Sequence, residues 1–410
     1  MRDAWREVPP TAGLPLHWRD FNPRRKSPSL DESLAAFLDV PSVQLECSGT
    51  AALVIALTTL KRASSRRSVI VPAYTCPLVA LAVLHCGLEP VLCDLASGTF
   101  EFSAETLERL CGSDTLAIIA THLGGRVCEL ARVTSIARRH GAFVIEDAAQ
   151  SLGASWRGRK AGTIGDIGFF SLAAGKGLTL YEGGILLARD AVLRKALKET
   201  SGELAPYRLL WEWRRSLQLI GYGLFYRPAM LRFAYGAPLR RALRKERMIE
   251  AVGDDFSSAI PLHRVGSFRR NVGARAAARL PLFLDALAMQ GAIRRRLLQS
   301  IPGITVICDA DHTRGTWPFF MIVMPTTEAR DLALNQLWTA GVGVTRLFIH
   351  ALPDYPYLQA QLGVSDVPNA RDFAARMLTV SNSPWLLEAD FHRICSVLSD
   401  AAGASFANSR

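Results

Sequence analysis

The chain has 410 residues, with 48 Lys and Arg against 37 Asp and Glu, which gives a formal net charge of +11. Apolar residues make up 49% and charged residues 21%, so the composition excludes a disordered chain, a collagen-like chain and a small disulfide scaffold. At about 150 residues per domain the length predicts two or three domains, and the surplus charge needs a location before it indicates a partner.

Cysteine usage and the N-terminal residues predict a reducing, cytoplasmic compartment. None of the eight cysteines forms a CxxC pair, and the opening segment MRDAWREVPPTAG has charges but no apolar run typical of a secretory signal. The uncharged stretch 68–88 is interrupted by Pro72 and Pro77, so it predicts a strand, a turn and a helix rather than a membrane span.

Short runs rich in Val, Ile and Leu alternate with helical stretches through the first half of the chain. The predicted strands are 68–72, 90–94, 116–121, 142–147, 167–172 and 184–189, and the predicted helices are 51–62, 78–86, 104–110 and 130–140. Such runs are typical of strands buried on both faces of a parallel sheet. The alternation predicts an α/β doubly wound domain, in which ligands bind beyond the carboxyl ends of the strands.

The pattern changes after Asp190. The later predicted elements are helices at 272–284 and 285–299, a strand at 316–324, a helix at 328–340, a strand at 342–348 and a final helix at 389–401. This order predicts a small C-terminal α+β domain. We place the large domain at 1–265, with an insertion at about 195–262, and the small domain at 266–410.

Several common catalytic motifs are missing from the sequence. The eight histidines show no HxxxH or His/Cys pairing at metal-ligand spacing, so no metal site is predicted. There is no GxSxG, and Gly175-Lys176-Gly177 lacks the remainder of a phosphate loop. A zinc enzyme, a P-loop NTPase and a serine hydrolase are therefore disfavoured.

Three features at predicted strand ends could carry chemistry. Ser48-Gly49-Thr50 opens a predicted helix, where free amides and the helix dipole would hold an anion, although a plain N-cap explains this short motif alone. Asp147 closes a buried strand, where its carboxylate needs a cationic partner, either a structural arginine or a protonated ring nitrogen. Lys176 follows a strand in an uncharged stretch. It either reaches solvent or is desolvated and nucleophilic.

The order of these features matters more than each one alone. An anion-binding turn, a strand-end aspartate and a downstream lysine on one sheet are the parts that hold pyridoxal phosphate. Ser171, five residues before Lys176, adds a hydroxyl for the phosphate group.

The motifs as a set resemble the DegT/DnrJ/StrS family of pyridoxal-phosphate sugar aminotransferases, which have the aspartate aminotransferase fold (fold type I). The segments that carry the resemblance are SGTAAL (48–53), VPAYT (71–75), THLGG (121–125), VIEDAAQSLGA (144–154), GDIGFFS (165–171), Lys176 with EGG (182–184), and TRLFIHALPDYP (345–356). The resemblance covers roughly residues 30–190 and 265–405. It implies a large, mostly parallel mixed sheet domain and a small C-terminal domain.

The resemblance also implies roles for individual residues. Lys176 would be the Schiff-base lysine and proton shuttle, Asp147 would pair with the pyridinium nitrogen, and Gln150 would lie near the ring oxygen. Ser48, Gly49, Thr50 and Ser171 would hold the phosphate, and His350 takes the position of a family histidine. Family members are usually homodimers with shared active sites, in which an asparagine from the partner reaches the phosphate.

This sequence departs from the family pattern in three places, one of which is Gly177, where the family commonly has an asparagine after the lysine. Cys76 stands where an aromatic residue usually stacks on the pyridine ring, and Tyr74 is a candidate substitute. The segment that reaches the partner reads SFRRNVGARAA (267–277), in which Asn271 or Arg270 could contact the phosphate. These departures leave cofactor binding expected and put the substrate in question.

The insertion holds most of the surplus charge. Residues 206–250 contain ten Arg and Lys against three Glu, which is +7 of the chain's +11, and eight of its 34 aromatic residues. Basic and aromatic residues together favour an amphipathic helix on an anionic membrane surface. A lid, a dimer arm, a pyrophosphate-binding patch and a solvated basic helix pair are the alternatives, and nucleic acid is not expected because no binding module accompanies the charge.

We therefore predict an aminotransferase that moves an amino group from glutamate or glutamine to a nucleotide-linked keto sugar for a polysaccharide, a glycolipid or a secondary metabolite. The alternatives are a pyridoxal-phosphate sugar dehydratase or lyase on the same scaffold, or a non-catalytic protein of polysaccharide assembly at a membrane. Lys176 argues against the dehydratase branch, whose members tend to have histidine at this position.

Overall fold

The structure, a computed structural model, describes residues 6–24, 27–363 and 365–407. Its strands are β1 (Gln44–Glu46), β2 (Ser68–Pro72), β3 (Glu89–Cys93), β4 (Thr115–Thr121), β5 (Phe143–Asp147), β6 (Ser155–Trp156), β7 (Arg159–Lys160), β8 (Ile167–Ser171), β9 (Gly184–Ala188), β10 (Thr305–Val306), β11 (Thr313–Arg314), β12 (Phe319–Val323), β13 (Val344–Thr345) and β14 (Met377–Ser381). Its helices are α1 (Leu30–Leu38), α2 (Gly49–Arg62), α3 (Pro77–His85), α4 (Ala104–Leu110), α5 (Leu130–His140), α6 (Ala191–Leu204), α7 (Leu209–Phe225), α8 (Pro228–Leu231), α9 (Ala237–Arg244), α10 (Met248–Val252), α11 (Ser267–Ala277), α12 (Leu280–Gln299), α13 (Thr327–Leu337), α14 (Pro356–Leu362), α15 (Pro368–Arg376) and α16 (Glu388–Ala407).

A seven-stranded sheet organises the first half of the chain, in the order β1-β9-β8-β5-β4-β2-β3. Five neighbouring strands, β3, β2, β4, β5 and β8, run parallel, whereas β9 pairs antiparallel with both β8 and β1. All six predicted strands and all four predicted helices of this region are confirmed to within two residues at each end. The α/β doubly wound prediction is therefore correct, and the carboxyl ends of β4, β5 and β8 lie at one edge of the sheet.

The centre of this sheet is apolar on both faces. Every residue of β4 is buried, and helices α2 and α3 cover one face with apolar side chains of their own. Because a strand covered on both faces needs no polar alternation, β-branched and leucine runs suffice to specify it. This packing fixes the strand ends on which the site is built.

A second, four-stranded antiparallel sheet has the order β10-β12-β14-β13. The predicted strand at 342–348 is shortened to β13, because Arg346 and Phe348 leave the sheet: Arg346 donates to the carbonyls of Ile349 and Ala374, and the Phe348 amide donates to the Tyr74 hydroxyl at 3.2 Å. The predicted strand at 316–324 is also shorter, as β12 starts after Pro318. Strand β14 was not predicted.

The break between the two long helices lies earlier than predicted. The sequence suggests a division at 284/285, but α11 ends at Ala277 and α12 begins at Leu280, with Pro281 in its first turn. Proline is tolerated in the first turn of a helix but not in its interior, so the break falls just before it. The predicted domain division at 265/266 stays a prediction.

The insertion is helical throughout its centre. Helices α7 to α10 follow one another, and a π-helical turn at Arg232–Gly236 joins α8 to α9. Within the described ranges, no single helix has the length and hydropathy to cross a membrane, although α11 and α12, bent by 53° at their junction, pass the same test as a pair.

Candidate active site at the edge of the large sheet

The predicted phosphate and ring contacts meet where β5 and β8 end. β5 ends at Asp147 and β8 at Ser171, and the Ala148 amide donates to the carbonyl of Phe169 at 2.9 Å. Gly49 opens α2 against the same edge, since a Cβ added there would lie 3.3 Å from the Cβ of Ser171. The structure therefore brings Asp147, Ser171 and the N-terminus of α2 to one edge of the sheet.

The N-terminus of α2 has free donors. The Oγ of Ser48 accepts a hydrogen bond from the Ala51 amide at 3.0 Å, so Ser48 is the N-cap. Within the described part of the chain, the amides of Gly49 and Thr50 have no hydrogen-bond acceptor. Free amides at the positive end of a 14-residue helix form a favourable anion site.

Lys176 lies on the loop between β8 and β9, and the N-terminal segment runs along this loop. The Leu14 amide donates to the carbonyl of Gly177 at 3.2 Å. A Cβ on Gly13 would lie 2.6 Å from the carbonyl oxygen of Lys176, so any side chain there would displace the loop. Gly175 has a φ of +78°, in the left-handed region that favours glycine. Gly13 was not identified from the sequence.

Lys176, Asp147 and Cys76 influence one another's ionisation. Burial lowers the pKa of Lys176, and its neighbours Cys76 and Asp147 partly oppose this shift. Burial raises the pKa of Asp147, although the Ala149 amide, 3.0 Å from its Oδ1, and Lys176 partly oppose it. Burial raises the pKa of the Cys76 thiol to about 12, so it stays neutral at physiological pH. The three side chains therefore lie close enough to one another for their charges to interact.

The carboxyl of Asp147 has no ion-pair partner among the described residues. Its exposed fraction is 5%, and among the described residues no Lys, Arg or His nitrogen lies within 4.0 Å of it. A buried carboxylate is costly without a cation or several hydrogen bonds. A protonated pyridine nitrogen would meet this need. With the free amides of α2 for a phosphate and Lys176 for an aldehyde carbon, the residues fit pyridoxal phosphate.

A fully buried pair lies directly behind Asp147. Glu146 accepts from the Nε2 of His122 at 2.9 Å and from the amides of Gly162, Ile164 and Gly165. Burial would raise the pKa of Glu146, but the hydrogen bonds that it accepts from His122 and from the backbone amides outweigh burial and hold the pKa below its ordinary value.

The Nδ1 of His122 accepts from the Cys128 amide at 3.1 Å, which leaves the proton on Nε2. The His122 amide also donates to the carbonyl of Asp147 at 2.9 Å. His122 and Glu146 therefore hold the end of β5 in place. Both residues lie in segments that resemble the family, THLGG (121–125) and VIEDAAQSLGA (144–154), but no role was predicted for either.

Gln150 and Lys176 line a cavity of about 170 Å³ between the two sheets. The Oε1 of Gln150 accepts from the Gly124 amide at 2.8 Å, which leaves its NH₂ group as a donor. Thr345 and Arg346 line the cavity from the small sheet. The remaining lining residues are Pro10, Thr11, Gly177, Tyr235, Val252, Pro318, Phe319, Leu347 and Thr379. Tyr235 and Val252 belong to the insertion, and the sequence did not predict their place here.

Tyr74 does not replace the aromatic residue missing at Cys76. The Tyr74 hydroxyl is bonded to the backbone of Phe348, and its ring packs edge-on against Phe348 and Phe373 at 5.5 and 5.2 Å. The side chain is buried in the core. Cys76, the residue before the first turn of α3, is therefore the residue that faces Asp147 and Lys176 from this side.

Asn271 is not among the residues that line the Lys176 cavity. Asn271 is exposed on α11, and its neighbour Arg270 pairs with Asp31 at 2.7 Å. Arg269 points inward and forms a bidentate, buried ion pair with Glu212 of α7. Of the consecutive residues Arg269, Arg270 and Asn271, Asn271 is the one that has no side-chain hydrogen bond or ion pair among the described residues, as a contact to a second subunit requires.

Asp254, near the end of the insertion, is a site neighbour that the sequence missed. Its carboxyl is buried, accepts from the Tyr355 hydroxyl at 2.6 Å and the Ile349 amide at 3.0 Å, and influences Cys76. Burial raises the pKa of Asp254 to about 6. The ring of His350 lies edge-on to Tyr355, with centroids 5.4 Å apart. Asp254 thus fastens the His350 segment beside the site.

Comparison with known proteins agrees with this geometry. The GDP-perosamine synthase of Caulobacter vibrioides is 38% identical over 180 residues, which are 43% of this chain and 48% of that protein. The chain spans about half of this relative and 59% of the corresponding enzymes of Vibrio cholerae and Escherichia coli O157:H7. The spore coat polysaccharide biosynthesis protein SpsC of Bacillus subtilis is 24% identical over 95% of this chain and 92% of its own.

Solved structures share the whole fold. Spr1654 from Streptococcus pneumoniae, in its PLP form, matches with a TM-score of 0.74 at 17% identity, over 97% of this chain and 99% of that one. Helicobacter pylori PseC, an aminotransferase involved in the biosynthesis of pseudoaminic acid, matches with a TM-score of 0.72 at 16% identity, over 97% and 100%. The predicted aspartate aminotransferase-like fold is therefore confirmed.

The family comparison covers the site itself. The model of the DegT/DnrJ/EryC1/StrS aminotransferase family matches residues 22–202 and 271–399, which include every predicted site residue and leave out most of the insertion. The chain belongs to the DegT/DnrJ/EryC1/StrS aminotransferase family.

Proposed function

We propose that the protein is a pyridoxal-phosphate-dependent aminotransferase that moves an amino group from glutamate or glutamine to a nucleotide-linked keto sugar. The observation that carries the proposal is the meeting of Lys176, Asp147 and the N-terminus of α2 at one sheet edge, in a chain of this family. Several relatives are named for work on sugars or cyclitols, among them GDP-perosamine synthase and L-glutamine:2-deoxy-scyllo-inosose aminotransferase. These names support the substrate class.

When bound, pyridoxal phosphate supplies an aldehyde carbon that takes up the amino group and a ring that withdraws electrons from the reacting carbon. Lys176 is the residue whose amine would attack that carbon and then move the proton at the reacting centre. Its lowered pKa increases the fraction of neutral amine at working pH, which is the form that acts as nucleophile and base.

Asp147 and the α2 N-terminus would orient the cofactor from opposite ends. The carboxylate of Asp147 would hold the ring nitrogen in its protonated form. Gly49 and Thr50 would donate their amides, and Ser48 and Ser171 their hydroxyl protons, to the phosphate. Gln150 would direct its NH₂ group at the ring oxygen from the cavity wall.

Cys76 would pack against the ring as a neutral thiol. The position gives the ring apolar contact and no aromatic stacking, because sulfur has no π face. Arg346 and Tyr235 line the neighbouring cavity, so a substrate bound there would contact the small-sheet region and the insertion.

We also propose a cytoplasmic homodimer in which the partner subunit completes each site. The exposed Asn271 on α11 would contact the phosphate bound to the other chain. A groove of about 980 Å³ runs along β1 and the start of α11 and is lined by Ser267 and Arg270, close to Asn271. A concave surface at this place supports a subunit contact. The large domain, 1–265, and the small domain, 266–410, would close on the site from its two sides.

The same proposal places the enzyme at the inner face of the membrane, in peripheral contact through residues 206–250. The support is their composition, with a net charge of +7 and eight aromatic residues.

The test is a direct search for the aminated product. Cofactor-loaded protein is incubated with glutamate or glutamine and a panel of nucleotide-linked keto sugars, and mass spectrometry follows the gain of an amine. Transfer to at least one sugar is expected. A deoxy product without nitrogen would identify a dehydratase instead, and purified protein that takes up no cofactor would contradict the proposal.

A further inference from the structure

Helix α7 packs one face against the protein and exposes the opposite one. Residues three and four positions apart share a face of a helix. The packed face contains Glu212, Arg215, Leu219 and Tyr222. The outer face contains Leu210, Trp213, Leu217, Ile220 and Leu224, with exposed fractions of 86%, 66%, 47%, 36% and 64%. The more apolar of the two faces is therefore the one in contact with solvent.

Ion pairs fix this orientation. Arg269 donates to both carboxylate oxygens of Glu212, and Arg215 donates to both oxygens of Glu182 at the end of the Lys176 loop. A rotation that buried the outer face would break both pairs and leave the charge of Arg269 without a partner in the interior. Exposure of the outer face is thus a property of the folded chain.

The outer face is large and continues beyond the helix. Seventeen residues at about 1.5 Å each make α7 about 26 Å long. Phe225, Met230 and Phe233, which follow the outer face in the chain, are exposed as well. Soluble proteins seldom leave an apolar surface of this length uncovered unless it binds something.

The positive net charge of residues 206–250 favours an anionic binding partner. Residues 206–250 carry +7, and the exposed basic residues among them are Arg208, Arg214, Arg241, Arg244, Lys245 and Arg247. A second copy of this chain would bring an equal positive charge against the first and be repelled. A membrane rich in anionic lipid attracts the same charges and accepts the apolar side chains.

We propose that the outer face of α7 docks the enzyme on an anionic membrane surface. The helix would lie in the plane of the membrane, with Leu and Ile side chains below the headgroups and the Trp213 ring at their level. The proposal rests on the peripheral location proposed above and names its residues and lipid class. It is independent of the transamination chemistry.

The test is co-sedimentation of the cofactor-loaded full-length protein with vesicles. One set contains phosphatidylcholine alone, and a second contains phosphatidylcholine with phosphatidylglycerol. Binding to the second set only, weakened by added salt, is expected. Leu217→Glu should weaken that binding at least about tenfold, because it replaces an apolar side chain that would insert below the headgroups with a negative charge that anionic lipid repels.

A matched variant controls for the substitution itself. Leu332→Glu, on α13 of the small domain, changes a leucine with an exposed fraction of 45% against 47% for Leu217 and should bind vesicles like the parent. Both variants should keep cofactor absorbance and transamination in solution.

Three results would overturn the docking proposal while leaving the proposed enzyme function intact. They are an active parent protein that ignores phosphatidylglycerol vesicles, equal binding to both lipid sets, and full binding by Leu217→Glu. A dimer that Leu217→Glu dissociates, as measured by light scattering, without vesicle binding by the parent would assign the face to a second copy instead.

Discussion

The edge of the large sheet buries ionisable groups, whereas the insertion exposes apolar ones. At the sheet edge, Glu146 and Asp147 are taken out of water and are compensated by amides, His122 and the nearby Lys176. On the outer face of α7, by contrast, five large apolar side chains are 36–86% exposed to solvent. Each arrangement is costly in isolation, and for each we propose a binding partner: the cofactor for the sheet edge and a membrane surface for the outer face of α7.

The largest effect is expected at Lys176. Lys176→Ala removes the nucleophile and the proton carrier of the sheet-edge site, so the rate of amine transfer should fall by about four orders of magnitude. The rate is measured by mass spectrometry of the aminated sugar. Lys195→Ala, which changes an exposed lysine on α6, is the control and should react like the parent. If Lys176→Ala transferred the amine at the parent's rate, Lys176 would not be the catalytic residue and the proposed sheet-edge site would be wrong.

The second prediction concerns the packed face of α7, where, as at the sheet edge, a buried charge needs a partner of opposite charge. Arg269→Ala leaves the buried carboxylate of Glu212 without its cation, so the free energy of unfolding should fall by roughly 3–5 kcal/mol. Urea unfolding measures it. Arg62→Ala breaks the exposed pair with Glu203 and should cost about 1 kcal/mol or less. Equal losses in both variants would show that Glu212 is not buried in solution.

The third prediction uses Asp254, where the insertion meets the site. Burial raises the pKa of Asp254 from 3.8 to about 6, so the folded state holds this proton more tightly than the unfolded chain does. Its contribution to stability is fully present below pH 3.8 and is lost as the pH rises through 6. The variant Asp254→Asn keeps a neutral acceptor for the Tyr355 hydroxyl and lacks this titration.

The measurement is the difference in unfolding free energy between the parent and Asp254→Asn at several pH values, which removes groups common to both proteins. Between about pH 4 and pH 7, the free energy of unfolding of the parent should fall by roughly 2 kcal/mol relative to that of Asp254→Asn. Arg346, Cys76, Tyr355 and Tyr357 face Asp254 and do not titrate in this range, since their pKa values lie at about 10 or higher. A difference independent of pH would mean that Asp254 is ionised in the folded enzyme at all of these values.

The two regions also differ in how far the sequence predicts them. Asp147 and Ser171 lie at the ends of apolar strands, and Lys176 follows in the loop after β8. Local pattern alone places those strand ends at one edge of a parallel sheet. Gly13 and Asp254 join the site from distant parts of the chain through backbone and hydroxyl contacts, which no local pattern records.

The orientation of α7 could not be predicted for a physical reason. Ordinary amphipathic logic would bury the face with Leu210, Trp213 and Leu217 and expose the face with Glu212 and Arg215. The structure does the reverse, because Arg269 and Glu182 offer ion-pair partners that only the tertiary fold brings near. The composition of the segment thus indicated an amphipathic helix but not which of its faces is packed against the protein.

The smallest effect is expected at Ser48, which has two proposed tasks. Its Oγ accepts from the Ala51 amide as an N-cap, and its hydroxyl proton would be free to donate to a phosphate. Ser48→Ala should lower the free energy of unfolding of the apoprotein by about 1 kcal/mol, and Ser48→Gly by a few tenths. Both should weaken cofactor binding, measured by titration of its absorbance. If Ser48→Gly binds cofactor like the parent, Ser48 is a cap only, and the phosphate is held by Gly49, Thr50 and Ser171.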